Sequence, residues 1–336
     1  LADEGTRAVL TNFFAAAFNP STLTRYSHVI CAVLIMGAFM TMAVAAWYMH
    51  KKDHEKFALR AMKIGSIVAT ISCACMLVTA HSSAVVVSEE QPTKFAMMEG
   101  MYEDEVPPLY AIGWVDEANE QVIAPFAIPG GTSFLATGNW DTEYQGLNSL
   151  AETEDYSAID PETMPVNLVF QSYHLMVAMF GLMALTLLLA LIFTFKGGSI
   201  KKMRWLQWLI IISPIFAVLA IQSGWATAEF GRQPWVVYPS VTGPEGVELL
   251  TADGISLAVS GWELIATIVL FVLIYLVLFI AWARIVARFI KQGPTQEQPA
   301  PVAASSNSFM SGTPPAKAAD ASSNDETAPA ATKEGE

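Results

Sequence analysis

The sequence predicts an all-α membrane protein: a polytopic helix bundle of about five transmembrane helices, with a large outward loop and a disordered C-terminal tail. Hydrophobic residues make up 53% of the 336 residues and charged residues only 15%, and the mean hydropathy is +0.42. The apolar residues form several uninterrupted runs of about 20 residues, the length that crosses a bilayer as a helix. Because a soluble core needs no such runs, these observations exclude an ordinary soluble domain.

Hydropathy along the chain predicts five spans, namely residues 23–49, 58–80, 167–195, 203–228 and 255–286. They divide the chain into an outward N-terminal segment (1–21), a first helix pair (22–80), an outward loop (81–166), a second helix pair (167–228), a second outward loop (229–254), a last helix (255–290) and a cytoplasmic tail (291–336). The tail is rich in Pro, Ala, Ser and Thr without apolar periodicity, which predicts disorder.

Basic residues predict the orientation of the spans. They cluster between the first two spans, between the third and fourth, and after the fifth: Lys51, Lys52, Lys56 and Arg60; Lys196, Lys201, Lys202 and Arg204; Arg284, Arg288 and Lys291. All three clusters fall on one side, and the positive-inside rule assigns that side, with the C-terminus, to the cytoplasm. The net charge of −13 comes from acids gathered in the 81–166 loop and the tail, so no nucleic acid is expected as a partner.

The chain begins at Leu1 with neither an initiator methionine nor an apolar signal segment, which favours a fragment or one product of a split gene. Its cysteines, Cys31, Cys73 and Cys75, all fall in apolar helices, where they act as small hydrophobes. A metal site at Cys73-x-Cys75 is a weak alternative, because that spacing on a helix points the two thiols to different faces.

The 81–166 loop is long for a connection, and it contains a single Lys or Arg, Lys94, against many acids. Pro107-Pro108 and Pro129-Gly130-Gly131 predict mostly irregular structure, with more helical character over residues 94–105. Pro234 comes shortly after the fourth span and lacks an amide donor, so the helix of that span is expected to stop within a turn.

A histidine and a methionine are candidate iron ligands on two different spans. His28 and Met176 are both expected roughly 10 Å below the outer surface, at a rise of 1.5 Å per residue. Taken singly, a buried histidine that bonds a carbonyl and a methionine in ordinary packing are the simpler interpretations. Together, two helices at one depth could hold a haem iron by nitrogen and sulfur, a ligand pair that favours a low-spin iron with raised potential.

Gly-Arg-Gln-Pro-Trp (231–235) after Trp-x-x-x-Glu (225–229) closely resembles the signature of subunit I of the cytochrome bd quinol oxidases. This resemblance implies that His28 and Met176 are the axial ligands of a low-spin haem b. It implies that Glu229 is an axial ligand of a second, high-spin haem b, that Arg232 pairs with a haem propionate, and that Trp225 packs against a porphyrin edge. The alternative interpretation of residues 225–235 is an interfacial anchor, with tryptophans at the depth of the lipid headgroups and two solvated charges.

One residue departs from the family pattern. The position two before the methionine ligand is usually arginine, and here it is His174, so haem potential and propionate contacts are open to change, and His174 itself is an alternative ligand. Glu263 is a carboxylate inside the predicted last span, which would be costly unless paired or hydrated, and a proton-handling role is one interpretation.

The segment Gln91-Pro92-Thr93-Lys94-Phe95-Ala96-Met97-Met98-Glu99 resembles the family's quinol-oxidation loop. Quinol oxidation releases two electrons and two protons, so Lys94 and Glu99 would supply hydrogen bonds and a proton acceptor beside the electron acceptor. The alternative is a solvated ion pair on an amphipathic helix, worth little energetically.

The resemblance implies part of a terminal respiratory quinol:oxygen oxidoreductase in a prokaryotic cytoplasmic membrane. Quinol would be oxidised at the outer face, and electrons would pass through low-spin haem b toward a high-spin haem b and haem d, the ligand of haem d lying outside this chain. The implied partners are a second integral oxidase subunit, a polypeptide supplying the missing first helices, membrane quinol and oxygen. The alternatives are a quinol-linked b-haem subunit of a non-oxidase complex and a haem-free membrane scaffold.

Overall fold

The computed structural model describes residues 12–239, 248–255 and 258–294, so residues 295–336 of the predicted tail and most of the N-terminal segment lie outside the described residues. Five long helices dominate it: α2 (Pro20–Lys51), α3 (Glu55–Glu90), α7 (Val166–Phe195), α8 (Arg204–Phe230) and α9 (Gly261–Gln292). Each is long and apolar enough to cross a membrane, which confirms the five predicted spans. A short helix α1 (Phe13–Ala17) precedes them.

Four of these helices close into a ring. Helix α2 packs against α3 and α8, and α7 packs against the same two neighbours, so α2 and α7 occupy diagonal corners. The apolar core between them includes Phe39, Met42 and Met62, all fully buried. Gly65 on α3 allows α2 and α3 to approach each other closely, since a Cβ at Gly65 would lie 2.8 Å from Cγ of Met42.

The predicted outward loop is more ordered than its prolines and glycines suggested. It contains α4 (Pro92–Glu99), the antiparallel strands β1 (Leu109–Asp116) and β2 (Gln121–Ile128), α5 (Gly131–Thr137) and α6 (Leu147–Ala151). The expectation of mostly irregular structure was therefore wrong over the hairpin. A second core forms under these elements, and its fully buried members are Ala96, Met97, Leu147, Val166, Val169, Phe170 and Trp235.

We call the end of the bundle that these elements cover the loop side. There α2 and α7 begin and α3 and α8 end. Hydrogen bonds between hydroxyl groups link the elements on this side. The Ser172 hydroxyl of α7 lies 2.8 Å from the Thr227 hydroxyl of α8, and the Thr93 hydroxyl of α4 lies 2.7 Å from the Tyr238 hydroxyl beyond α8. At the other end, a short 3-10 helix (Ser199–Lys202) joins α7 to α8.

Helix boundaries differ in places from the predicted spans. Helix α3 continues to Glu90, past residue 80, whereas α8 ends at Phe230, as Pro234 predicted. A two-stranded pairing of β3 (Trp235–Val237) with β4 (Leu249–Leu250) follows α8.

Helix α9 begins at Gly261, later than residue 255, because Ser260 and Glu263 form a capping box. The Glu263 carboxylate accepts hydrogen bonds from the Ser260 amide (2.9 Å) and hydroxyl (2.7 Å) and is fully exposed in the chain. The carboxylate therefore lies at a helix start, paired, rather than unpaired within a span.

Candidate functional site

His28 lies on α2 near the loop side, eight residues after Pro20, or about 12 Å along the helix. Its ring is partly buried, and its Nδ1 atom is buried without a hydrogen-bond partner among the described residues. A buried polar nitrogen without a partner is costly, so a bound group that satisfied it would be stabilised here.

Met176 lies on α7, the diagonal neighbour of α2, ten residues after Val166, or about 15 Å along the helix. A Cβ atom at Gly224 of α8 would lie only 2.7 Å from the Met176 sulfur. The absence of a side chain at Gly224 therefore makes the space in which this sulfur sits. His28 and Met176 therefore lie on diagonal helices, each within about three helical turns of the loop side.

His174, the departure from the family pattern, is held against its own helix. Its Nδ1 donates to the Phe170 carbonyl oxygen at 2.8 Å, and its ring stacks on that of Phe170 with centroids 3.9 Å apart. The hydrogen bond fixes the tautomer and leaves Nε2 as the ring nitrogen able to face another group.

A group of charges lies where α8 ends. Arg232 is ion-paired with Glu229 one helical turn earlier. Lys94 of α4 packs directly on Gly231, where a Cβ would lie 2.8 Å from Cγ of the lysine. The Lys94 amine donates to the Gln91 side-chain oxygen at 2.5 Å. Gly231 thus lets Lys94 pack beside Glu229 and Arg232, which are also predicted site residues.

Burial, together with the positive charges of Arg25 and Arg232, lowers the pKa of Lys94 to about 7, while Glu229 opposes the shift. Only 5% of Lys94 is exposed. Two arginines and a partly protonated Lys94 against one carboxylate leave an excess of positive charge, which is a setting that suits an anionic group.

Glu99, at the end of α4, is separate from this group. It is 1% exposed, and its Oε2 atom lies 3.1 Å from the hydroxyl of Thr132 on α5. Burial raises the pKa of Glu99 to about 8, and the charge of Glu105 adds to the rise, although the Thr132 hydrogen bond lowers it. Lys94 and Glu99 are both buried and form no ion pair with each other in the described structure, so the alternative of a solvated ion pair was wrong.

Trp225 points away from the packed interior and is 64% exposed on α8. Two residues near the predicted site were missed from sequence. Arg25 precedes His28 by three positions, a spacing that shares a helix face and could have been noticed. Thr132 lies 33 residues from Glu99, and no local pattern signals their contact.

Comparison with known proteins matches this chain to one family. The family model described as cytochrome bd terminal oxidase subunit I matches residues 1–294. Cytochrome bd-II ubiquinol oxidase subunit 1 of Escherichia coli is 26% identical, with 87% of this chain and 66% of that protein covered. Cytochrome bd ubiquinol oxidase subunit 1 of Bacillus subtilis is 28% identical, with 90% and 64% covered.

A third relative, the putative cytochrome bd menaquinol oxidase subunit I of Bacillus subtilis, is 33% identical over 67% of this chain and 50% of its own length. Among solved structures, the bd oxidase from Geobacillus thermodenitrificans superposes with a TM-score of 0.69 at 27% identity, covering 85% of this chain and 62% of that one. The chain thus spans less than two thirds of the length of these relatives.

Proposed function

The chain belongs to the family of cytochrome bd terminal oxidase subunit I, and from that premise we propose that it forms part of a terminal respiratory quinol:oxygen oxidoreductase. The observation that carries the proposal is the pair of ionisable side chains buried on α4, Lys94 and Glu99, beside the end of the bundle that carries His28 and Met176. Buried ionisable side chains whose pKa values are displaced toward neutrality occur preferentially at functional sites.

His28 and Met176 are the residues that would hold a low-spin haem b within the ring of helices. The partnerless nitrogen of His28 fits such a group, and the Met176 sulfur, seated against Gly224 of α8, is a thioether of the kind that binds haem iron. Glu229 would help to hold a second, high-spin haem b, and Trp225 would pack beside that haem. When bound, haem supplies a one-electron acceptor close to the loop side.

Arg232 would bind a haem propionate, since its planar fork suits a carboxylate. The excess positive charge around Lys94 supports this assignment, because propionates would neutralise it. Arg232 already holds Glu229, so it would also orient that carboxylate.

Lys94 and Glu99 would bind and deprotonate the quinol. A lysine with a pKa of about 7 is able to donate or accept a hydrogen bond near neutral pH. Glu99 would accept a proton from a quinol hydroxyl when it is ionised. Both side chains are shielded from water by the second core, which keeps their hydrogen bonds strong.

The complete enzyme would require more than this chain. A polypeptide supplying further helices would provide the haem d ligand, and a second integral subunit would complete the complex. The loop side would face outward, with the basic ends of the helices and the C-terminus in the cytoplasm of a prokaryotic cell. Quinol would reach the site from the membrane, and oxygen would be reduced at the haem pair.

The decisive experiment replaces Met176 with leucine in the assembled complex. Leucine keeps the volume but has no sulfur, so the low-spin b band should vanish from the reduced-minus-oxidised spectrum. Met179→Leu is the matched control, because Met179 lies one turn further along α7, packs partly buried against the core and should leave the band intact. An unchanged spectrum for Met176→Leu would refute the ligand assignment.

A further inference from the structure

The hydroxyl of Thr132 stands between two acceptors. Its Oγ1 atom lies 3.1 Å from Glu99 Oε2 and 3.1 Å from the carbonyl oxygen of Pro108. Thr132 is 7% exposed and Glu99 1%, so the second core shields both from water.

The number of protons decides how these contacts can be satisfied. A threonine hydroxyl has one proton to donate and also accepts. If Glu99 were a carboxylate, that one proton would be shared between the carboxylate and the Pro108 carbonyl. If Glu99 carries a proton, it donates to the Thr132 oxygen, Thr132 donates to Pro108, and both short contacts are hydrogen bonds.

The other groups around Glu99 also favour the neutral acid. Those that act on it or feel its charge are Glu105 in the connection after α4, Tyr110 on β1 and Tyr173 on α7. One is acidic, two are phenolic, and none is a cation. Lys94, on the same helix, instead bonds Gln91. Burial raises the pKa of Glu99 to about 8, in agreement with the contacts.

We propose that Glu99 rests as a neutral carboxylic acid held by Thr132, and that Thr132 is the positioning residue that sets the pH at which Glu99 can accept a proton from quinol. This inference rests on the proposed function. Glu99 first loses its own proton to water of the outer face. One quinol O–H bond then breaks, its proton forms an O–H bond on the Glu99 carboxylate, and one electron leaves to the one-electron acceptor of the proposed function. After Glu99 has released this proton, the same transfer repeats with the second O–H bond and the second electron, and the product is quinone.

Thr132 should stabilise both protonation states of Glu99. It should stabilise the carboxylate more strongly, because a hydrogen bond from a hydroxyl to a carboxylate is charge-assisted. Thr132→Val keeps the shape and removes the hydroxyl, so ionised Glu99 becomes harder to form. Thr132→Ser retains the hydroxyl and is the conservative rescue.

The test uses the assembled membrane complex, with a short-chain ubiquinol analogue as substrate and oxygen uptake followed from pH 6 to 10. The unaltered enzyme should speed up as pH rises, with a midpoint near 8. Thr132→Val should move that midpoint up by about one pH unit, giving roughly tenfold slower turnover at pH 7. Thr132→Ser should restore the original profile. Identical profiles for the valine variant and the unaltered enzyme would overturn the proposal.

Infrared spectroscopy supplies a second readout that needs no turnover. The unaltered complex at pH 7 should show a protonated-carboxyl band that disappears on raising the pH and is missing in Glu99→Gln. If Glu99 is already ionised at pH 7, the proposal fails, whether or not Thr132→Val assembles. Normal quinol oxidation by Glu99→Gln would instead defeat the assignment of Glu99 to the quinol site, while the infrared titration still decides the resting protonation of Glu99.

Discussion

Two ionisable residues five positions apart on one short helix experience opposite surroundings. Lys94 lies among cations and Glu99 lies near another acid, and each is also buried. Burial and the neighbouring like charge each destabilise the charged form of the side chain. Lys94 and Glu99 are therefore expected to change protonation close to physiological pH. Groups that change protonation in this range are suited to exchanging protons with a quinol.

Burial of Glu99 makes a prediction for stability. Its pKa in the folded chain is about 8, against 4.5 for an ordinary glutamic acid, so the folded state binds more protons between pH 4.5 and 8. The free energy of unfolding must therefore fall as pH rises through this window, by about 1.4 kcal/mol for each pH unit crossed, and the loss amounts to several kcal/mol above it.

Glu99→Gln mimics the neutral acid and should escape this loss. In thermal unfolding of the purified complex, the variant and the unaltered protein should coincide near pH 5, and the variant should melt several degrees higher at pH 9. The exposed Glu103→Gln is the control, expected to show no such divergence. Parallel pH dependences for all three proteins would mean that Glu99 is not held in a neutral state.

Contacts between residues close in sequence could be predicted, whereas contacts between residues distant in sequence could not. Arg232 and Glu229 lie in one local string, so their pairing one turn apart was within reach of pattern reasoning. Thr132 bonds Glu99 across an intervening hairpin, and such contacts depend on how the loop folds rather than on any local spacing. The departure at His174 stays a prediction, and its hydrogen bond to Phe170 depends on a ring orientation that the sequence does not give.

Helices were more predictable than the loop elements between them. Hydropathy alone located all five long helices because each must bury its backbone polar groups while presenting apolar side chains to lipid. The hairpin was not predicted, because the prolines and glycines beside it are typical of irregular structure, although β1 and β2 are rich in strand-forming residues. The start of α9 was readable from Ser260 and Glu263, whose spacing is that of a capping box.

The contact between α7 and α8 at Gly224 makes a prediction for the helix pair. An alanine Cβ there would lie 2.7 Å from the Met176 sulfur, and that flexible side chain can move aside. Gly224→Ala should therefore fold normally, with a gain of up to about 1 kcal/mol from helix propensity, while it weakens the low-spin b band by displacing the sulfur. Reduced-minus-oxidised spectra and thermal unfolding of the same preparation measure the two effects.

Gly181→Ala is the matched control for this substitution. Gly181 lies on α7, and an added Cβ there meets nothing within 4 Å. Its spectrum should equal that of the unaltered complex. A normal low-spin band in Gly224→Ala would show that the Met176 sulfur has no role in holding the haem.

On the scale of the whole molecule, four helices form a ring and α9 stands apart from it. No residue of α9 is buried, although the helix is apolar on all sides, and the Tyr48 hydroxyl bonds its Ile290 carbonyl oxygen at 2.7 Å near one end. A helix of this kind is stable in lipid or against other apolar helices. The relatives are longer than this chain, which covers 66% of the Escherichia coli protein and 62% of the Geobacillus thermodenitrificans chain.

The separation of charge between the two ends of the bundle gives the last prediction. The acidic loop side and the basic ends of α2, α7 and α9 should lie on opposite faces of the membrane, with the basic ends in the cytoplasm. Asp141 is exposed on the loop side and Lys196 is exposed at the far end of α7, so each can be replaced by cysteine in a chain whose own cysteines, Cys31, Cys73 and Cys75, are alanine. A membrane-impermeant maleimide added to spheroplasts should label Asp141→Cys at once and Lys196→Cys only after the membrane is opened. Because quinol oxidation at Lys94 and Glu99 would release its protons on the loop side, the reverse labelling pattern would place that release in the cytoplasm and contradict the proposed orientation.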